Sequence, residues 1–155
     1  MKKLPIGKSD FKEIIEKDYY YIDKSLFIKE VIDSSAAVLL FPRPRRFGKT
    51  LNLSMLRYFF DCNEKESQKL FKKLGIWQAG EKYRQQQGKY PVVHLTFKDV
   101  KKGDWSQCYN KIINLIVNEI EHHKYLLSSD KLSDIEKSFL GRLLNTLGVR
   151  FLIGM

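Results

Sequence analysis

Cysteine is nearly absent from this chain: Cys62 and Cys108 are the two among 155 residues. They share no C-x-x-C spacing and stand near no histidine set, so they read as buried reduced thiols rather than a metal or redox site. Histidine is as scarce, with three residues. His94 stands alone. His122 and His123 are adjacent and so do not share a helical face as an i, i+4 pair would, and no zinc site is expected. There is no apolar run of about 18 residues, which argues against a transmembrane helix and against a membrane partner. Met1-Lys2-Lys3 is followed by Leu4-Pro5-Ile6-Gly7-Lys8 instead of an apolar stretch, which argues against a secretory signal and for a cytoplasmic protein. Internal repeats, low-complexity tracts and an interdomain linker are all missing. A hydrophobic fraction of 43% then suits one globular domain.

Acidic residues are the minority charge, 18 against 28 lysines and arginines, for a net charge of +10. Such an excess attracts polyanions: nucleotides, nucleic acid or anionic surfaces. Most of it is dispersed, as in Lys72-Lys73 and Lys101-Lys102, and reads as solvated surface. One cluster is dense: Arg43, Arg45, Arg46 and Lys49.

That cluster lies in Phe41-Pro42-Arg43-Pro44-Arg45-Arg46-Phe47-Gly48-Lys49-Thr50. An apolar run, Ala36 to Leu40, precedes it, and an apolar helical pattern, Leu51 to Phe60, follows. The order is strand, basic loop, Gly-Lys-Thr, helix. It places a lysine and a hydroxyl at a helix N-terminus, where backbone N–H groups and the helix dipole favour an anion. In a phosphate-binding loop of this kind, a Walker A motif, the lysine reaches the β- and γ-phosphates and the Ser/Thr hydroxyl holds Mg²⁺. Those roles fall here to Lys49 and Thr50, with ATP and Mg²⁺ as the expected cofactors. The cradle spans Arg43, Arg45, Arg46, Phe47, Gly48, Lys49, Thr50 and Leu51. The pattern G-x-x-x-x-G-K-[ST] departs at its first position, which is Arg43 in place of glycine. The competing reading is a basic loop that contains Gly-Lys-Thr by chance.

Elsewhere the periodicity predicts helices over 9–17, from Asp23 to about Ile32, over 65–74 with Gly75 as C-cap, and from Asp104 to His122. The last of these would face Tyr109, Ile112, Ile113, Ile116, Val117 and Ile120 inward. Ser133-Asp134-Ile135-Glu136 is a capping box opening a helix to about Leu147, with Gly148 as its stop. Gly80 to Tyr90 reads as a surface loop. Ala36–Phe41 and Pro91–Lys98 read as strands, and Val149–Met155 begins like a third. Tyr19-Tyr20-Tyr21 is expected in the core, with a nucleotide-base pocket as its alternative. Strands alternating with helices predict an α/β three-layer sandwich with a mostly parallel sheet, thin and incomplete at the C-terminus.

Hydrolysis needs an acid beside the metal, typically an apolar strand ending in Asp-Glu. No such segment occurs. Asp99 is the one acid at the end of a predicted strand and reads as a loop or cap residue.

Several segments carry a family resemblance: Leu4-Pro5-Ile6-Gly7, Ser9 to Ile15, Tyr19-Tyr20-Tyr21-Ile22-Asp23-Lys24-Ser25, and Arg43 to Leu56. In that order they resemble the N-terminal part of a predicted AAA-ATPase-like family of bacteria, from about Leu4 to at least Val100. The resemblance implies the phosphate-binding fold named above, and it implies an Arg-Pro-Arg-Arg-Phe-Gly-Lys-Thr loop, so that Arg43 is the family's own departure from glycine. It further implies a longer protein, with the Asp-Glu strand beyond the long helices and often a C-terminal nuclease-like domain of the PD-(D/E)xK type. On that comparison the 155 residues read as a truncated member, one part of a single ATPase-like domain. The leading expectation is ATP binding with slow or absent hydrolysis. The alternatives are a basic nucleic-acid-binding module and a truncated product without independent function. Base preference and oligomeric state are not encoded in any motif.

Overall fold

The computed structural model of the chain describes residues 1–42, 44, 46–98, 100–101, 103–130 and 132–146; of residues 65, 140 and 142–146 it describes the backbone alone. The chain divides into two compact units, Met1–Val92 and a second that begins at Val93.

The first unit is helical. Helix α1, Phe11–Glu16, starts where the Asp10 carboxylate accepts the Glu13 N–H at 2.8 Å, an N-cap that satisfies one of the four orphan donors of a helix start. Helix α2 spans Leu26–Asp33 and helix α3 spans Lys49–Phe60. A 3₁₀ segment, Cys62–Ser67, leads into three one-turn helices: α4 (Gln68–Phe71), α5 (Gly75–Gln78) and α6 (Glu81–Arg84). Gly75 therefore opens a helix instead of ending one, and the expected loop after Gly80 contains a helical turn that buries Tyr83.

The core of this unit gathers one face of each helix. Phe11 of α1, Ile28 of α2, Met55 and Phe59 of α3, Phe71 of α4 and Ile76 of α5 are all fully buried. Phe71 stacks on Phe11 with centroids 5.1 Å apart and meets Phe59 edge-on at 5.1 Å. These are the offset and T-shaped geometries that the ring quadrupole favours. Along α3, Met55 and Phe59 lie in this core, whereas Leu53 is exposed and Leu56 and Phe60 are half-buried.

The predicted three-layer sandwich is not what forms. Among the described residues there is no strand and no sheet; one isolated parallel bridge joins Asp61 to Tyr90. The run Ala36–Leu40 is exposed throughout, with Val38 and Leu40 each 84% exposed. The physical reason is that a strand exists only in a ladder, since its N–H and C=O groups need a neighbouring backbone. The run has the side chains of a buried strand, but no described segment pairs with it in a ladder. Pro91–Lys98 fares likewise. The bridge lies at Tyr90, just before it, and the His94 N–H donates to a side chain, Glu119 Oε1 at 2.6 Å, instead of to a neighbouring strand.

In the second unit, helix α7 (Trp105–His122) opens on Asp104, whose carboxylate accepts the Gln107 N–H at 2.8 Å. Its Ile112, Ile113, Ile116, Val117 and Ile120 are half-buried and none is fully buried, while Tyr109, expected inward, is exposed. After a 3₁₀ turn, Lys124–Ser128, helix α8 runs from Asp134 to Thr146. The capping box is reciprocal: Glu136 N–H donates to Ser133 Oγ at 3.3 Å and Ser133 N–H to Glu136 Oε2 at 2.8 Å. The expected third strand, and the stop at Leu147-Gly148, lie outside the described residues. Cys62 and Cys108 are partly buried thiols.

Candidate functional site

The Gly-Lys-Thr segment does stand at a helix start. Gly48 is the N-cap of α3 at φ +74, Lys49 is the first helical residue, and no side chain caps the end. The first backbone bond of the helix runs from Asn52 N–H to Gly48 C=O at 2.9 Å. The N–H groups of Thr50 and Leu51 thus belong to the opening turn, whose donors have no carbonyl of an earlier helical turn to bond. The chain enters this turn through a second left-handed residue, Arg46 at φ +70. A left-handed arginine costs energy because its Cβ crowds the following carbonyl, whereas glycine adopts the conformation freely. A Cβ built at Gly48 would meet nothing within 4 Å, so what requires glycine there is the backbone angle and not a lack of room.

Arg46, Phe47, Lys49 and Thr50 are exposed, Gly48 and Leu51 partly so. Arg43, Arg45 and Asp99 lie outside the described residues. The described part of the predicted cradle is therefore one contiguous turn carrying two basic side chains, a hydroxyl and the dipole of a 12-residue helix.

Two cavities flank this turn. One, of about 220 Å³, is lined by Lys49, Asn52 and Leu53 of α3 with Phe27, Leu39 and Phe41. Lys49, Asn52 and Leu53 have i, i+3, i+4 spacing and so share one helix face. Phe27 and Phe41 meet edge-on, centroids 4.7 Å apart. The other cavity, of about 350 Å³, is lined by Arg46, Phe47 and Gly48 together with Tyr20, Ile22 and Pro5.

The tyrosine run divides between core and cavity. Tyr21 packs edge-on against Phe11 at 5.6 Å, and its hydroxyl donates to Met55 Sδ at 3.4 Å. Burial pushes its phenol up to about 12, so Tyr21 is a neutral wall and not a base. Tyr20 is 54% exposed and Ile22 65% exposed on either side of it. The backbone at Tyr20 is pinned by its N–H to Lys3 C=O at 2.8 Å. The core reading thus holds for Tyr21 and fails for Tyr20. Pro5, Ile22, Asn52 and Phe27 were not read from the sequence as neighbours of this turn. The period-two alternation of Tyr20 and Ile22, and the helical spacing of Asn52 from Lys49, were the signals available.

Asp23 and Ser25, in the same segment, are occupied elsewhere. Asp23 Oδ2 accepts the Gly75 N–H at 2.7 Å and Ser25 Oγ accepts the Ile76 N–H at 3.0 Å. No helix among the described residues is long and apolar enough to cross a membrane.

An uncharacterized protein in the vnfD 5' region of Azotobacter chroococcum mcd 1 is 37% identical over 120 residues, which is 76% of this chain but 22% of that relative. The chain thus spans well under two thirds of that relative's length. No solved structure matches the chain. The family model described as predicted AAA-ATPase matches residues 5–149, nearly the whole sequence, and the chain belongs to that family.

Proposed function

We propose that this chain binds ATP with Mg²⁺ through the turn from Arg46 to Leu51. The observation that carries the reading is the uncapped start of α3, with left-handed Gly48 before it and Lys49 as its first residue. Anionic oxygens suit such an end because orphan N–H groups and the helix dipole act in the same direction. In this reading Lys49 contacts β- and γ-phosphate oxygens, the Thr50 hydroxyl ligates Mg²⁺, and backbone N–H groups from Arg46 to Leu51 cradle the phosphates. Arg43, Arg45 and Arg46 lower the local negative charge. Bound Mg²⁺ would neutralise phosphate charge. Membership of a predicted AAA-ATPase family supports nucleotide use.

Turnover by these residues alone is proposed to be slow or absent, since phosphoryl transfer also requires an acid beside the metal and a group that orients water. The nucleic-acid reading gains nothing from the surface. Lys8, Lys12, Lys17, Lys29, Lys69 and Lys82 each lie within 4.0 Å of a carboxylate, which disperses the excess charge instead of concentrating it.

Calorimetric titration of the chain with ATP, with and without Mg²⁺, tests the proposal beside Lys49→Ala. Binding that needs Mg²⁺ and disappears in the variant is expected. A folded wild type that takes up no nucleotide, or a variant that binds equally well, would overturn it.

A further inference from the structure

The larger cavity beside the phosphate turn differs from the smaller in what its walls have left to offer. In the smaller, the Phe27 and Phe41 rings already meet each other. In the larger, the Tyr20 ring pairs with no other described ring, and it stands 54% exposed on a backbone held by the Tyr20–Lys3 hydrogen bond. Phe47, 56% exposed, contributes a second aromatic side chain to the lining, and Ile22 and Pro5 add apolar surface. A volume of about 350 Å³ falls within the usual range for small-molecule sites, about 300–1,000 Å³, whereas about 220 Å³ does not. The cavity shares Gly48 and Leu51 with the phosphate turn, so a ligand whose phosphates lie at α3 can enter it without leaving them.

We propose that this cavity, walled by Tyr20, Ile22 and Phe47, takes the purine base of a nucleoside triphosphate whose phosphates lie at the Gly48–Leu51 turn. The inference rests on the phosphate reading above and extends it to the other end of the ligand. The walls are mostly aromatic and aliphatic, with Arg46, Lys24 and Asn52 as the polar exceptions, so recognition is chiefly by the flat face of the base. A purine offers more face than a pyrimidine, and stacking depends on that area. Lys24 in the lining adds a positive charge.

The test titrates the full chain, its Tyr20→Ala variant and its Tyr20→Phe variant with Mg²⁺ complexes of ATP, UTP and inorganic tripolyphosphate. ATP is expected to bind wild type more tightly than UTP or tripolyphosphate. Tyr20→Ala should weaken ATP about tenfold and leave tripolyphosphate unchanged, and Tyr20→Phe should keep ATP affinity because it keeps the ring. Tyr20→Ala that binds ATP as wild type does, or that loses both ligands equally, overturns the base site. UTP bound as tightly as ATP overturns the purine assignment. Tripolyphosphate bound as tightly as ATP by wild type overturns the base site and leaves the phosphate reading standing; binding of none of the three overturns both.

Discussion

The Ser25 hydroxyl accepts the Ile76 N–H at 3.0 Å in a fully buried setting, joining the start of α2 to the start of α5 across 51 residues of chain. Beside it the Asp23 carboxylate takes the Gly75 N–H at 2.7 Å. Helix α5 has no side-chain cap of its own. Two side chains from a distant segment therefore satisfy donors that a four-residue helix leaves open. Removing the Ser25 hydroxyl strands a buried amide, at a cost of about 1–3 kcal/mol. Ser25→Ala should lower the unfolding free energy obtained from urea titration by that amount and, where it folds, leave Mg²⁺–ATP affinity unchanged. Lost affinity in a fully folded variant would mean that Ser25 belongs to the binding site instead.

Asp33 gives the fold a pH dependence of known sign. Its carboxylate sits 2.7 Å from Lys82 Nζ, accepts the Tyr83 hydroxyl at 2.8 Å, and pairs with Lys29 at 3.1 Å. The Lys82 hydrogen bond first, then Tyr83 and Lys29, holds it well below the ordinary carboxylate value of 3.8. A carboxyl that is more acidic in the folded state stabilises the fold fully above its unfolded value, and loses that contribution as pH falls below it. Urea unfolding of wild type and Asp33→Asn should therefore show a gap at neutral pH that shrinks as pH drops below 3.8. A gap that stays constant into acid would sink the assignment. The group is solvated, so the gap is small and screened by salt.

Two of the eight tyrosines should titrate late. Burial raises Tyr21 to about 12. Burial, then the hydrogen bond that its hydroxyl donates to Asp10 Oδ2 at 3.0 Å, raises Tyr58 to about 12. For a phenol whose folded value lies above the unfolded one, the stabilisation is complete below about 10 and disappears as pH rises toward the folded value. Phenolate absorbance followed while the chain remains folded should show a late phase. Tyr21→Phe and Tyr58→Phe should each remove part of it. A single phase near the ordinary value in wild type would contradict the burial of both rings.

What could be read from the sequence follows from the range of the interactions involved. The caps at Asp10, Asp104 and Ser133–Glu136 are local: each side chain bonds a backbone group three residues away, so the residues themselves announce the helix start. The start of α3 at Gly48-Lys49 was legible locally too, from the glycine before the apolar helical pattern, although no side chain caps it. The sheet was not, because an apolar run such as Ala36–Leu40 specifies a strand only with a partner, and pairing is a property of two segments. Gly75 was misplaced because the donors that it and Ile76 present are satisfied by Asp23 and Ser25, about fifty residues away, a link no local pattern carries. Tyr20 and Tyr21 looked alike in sequence, and their separation into cavity and core depends on where Phe11 and Met55 stand.

Gly48 and Arg46 offer a paired test of the phosphate turn, since both are left-handed and one of them is not glycine. Gly48→Ala introduces a Cβ that meets nothing within 4 Å, so its whole cost is the backbone angle, about 1–2 kcal/mol. The turn can escape that cost by moving out of the left-handed region, which would swing the N–H groups of Lys49 and Thr50 away from a common ligand. Mg²⁺–ATP affinity should therefore fall with stability. Arg46→Gly acts in the opposite sense: it removes a left-handed penalty, and stability should hold or rise by up to about 1 kcal/mol. Its ATP affinity should drop by the loss of one exposed charge only, and that drop should vanish at high salt, where exposed charges are screened. If Arg46→Gly abolished binding at every salt concentration, the arginine side chain itself would be an obligatory ligand contact. If Gly48→Ala bound ATP as wild type does, the left-handed turn would have no part in holding the phosphates.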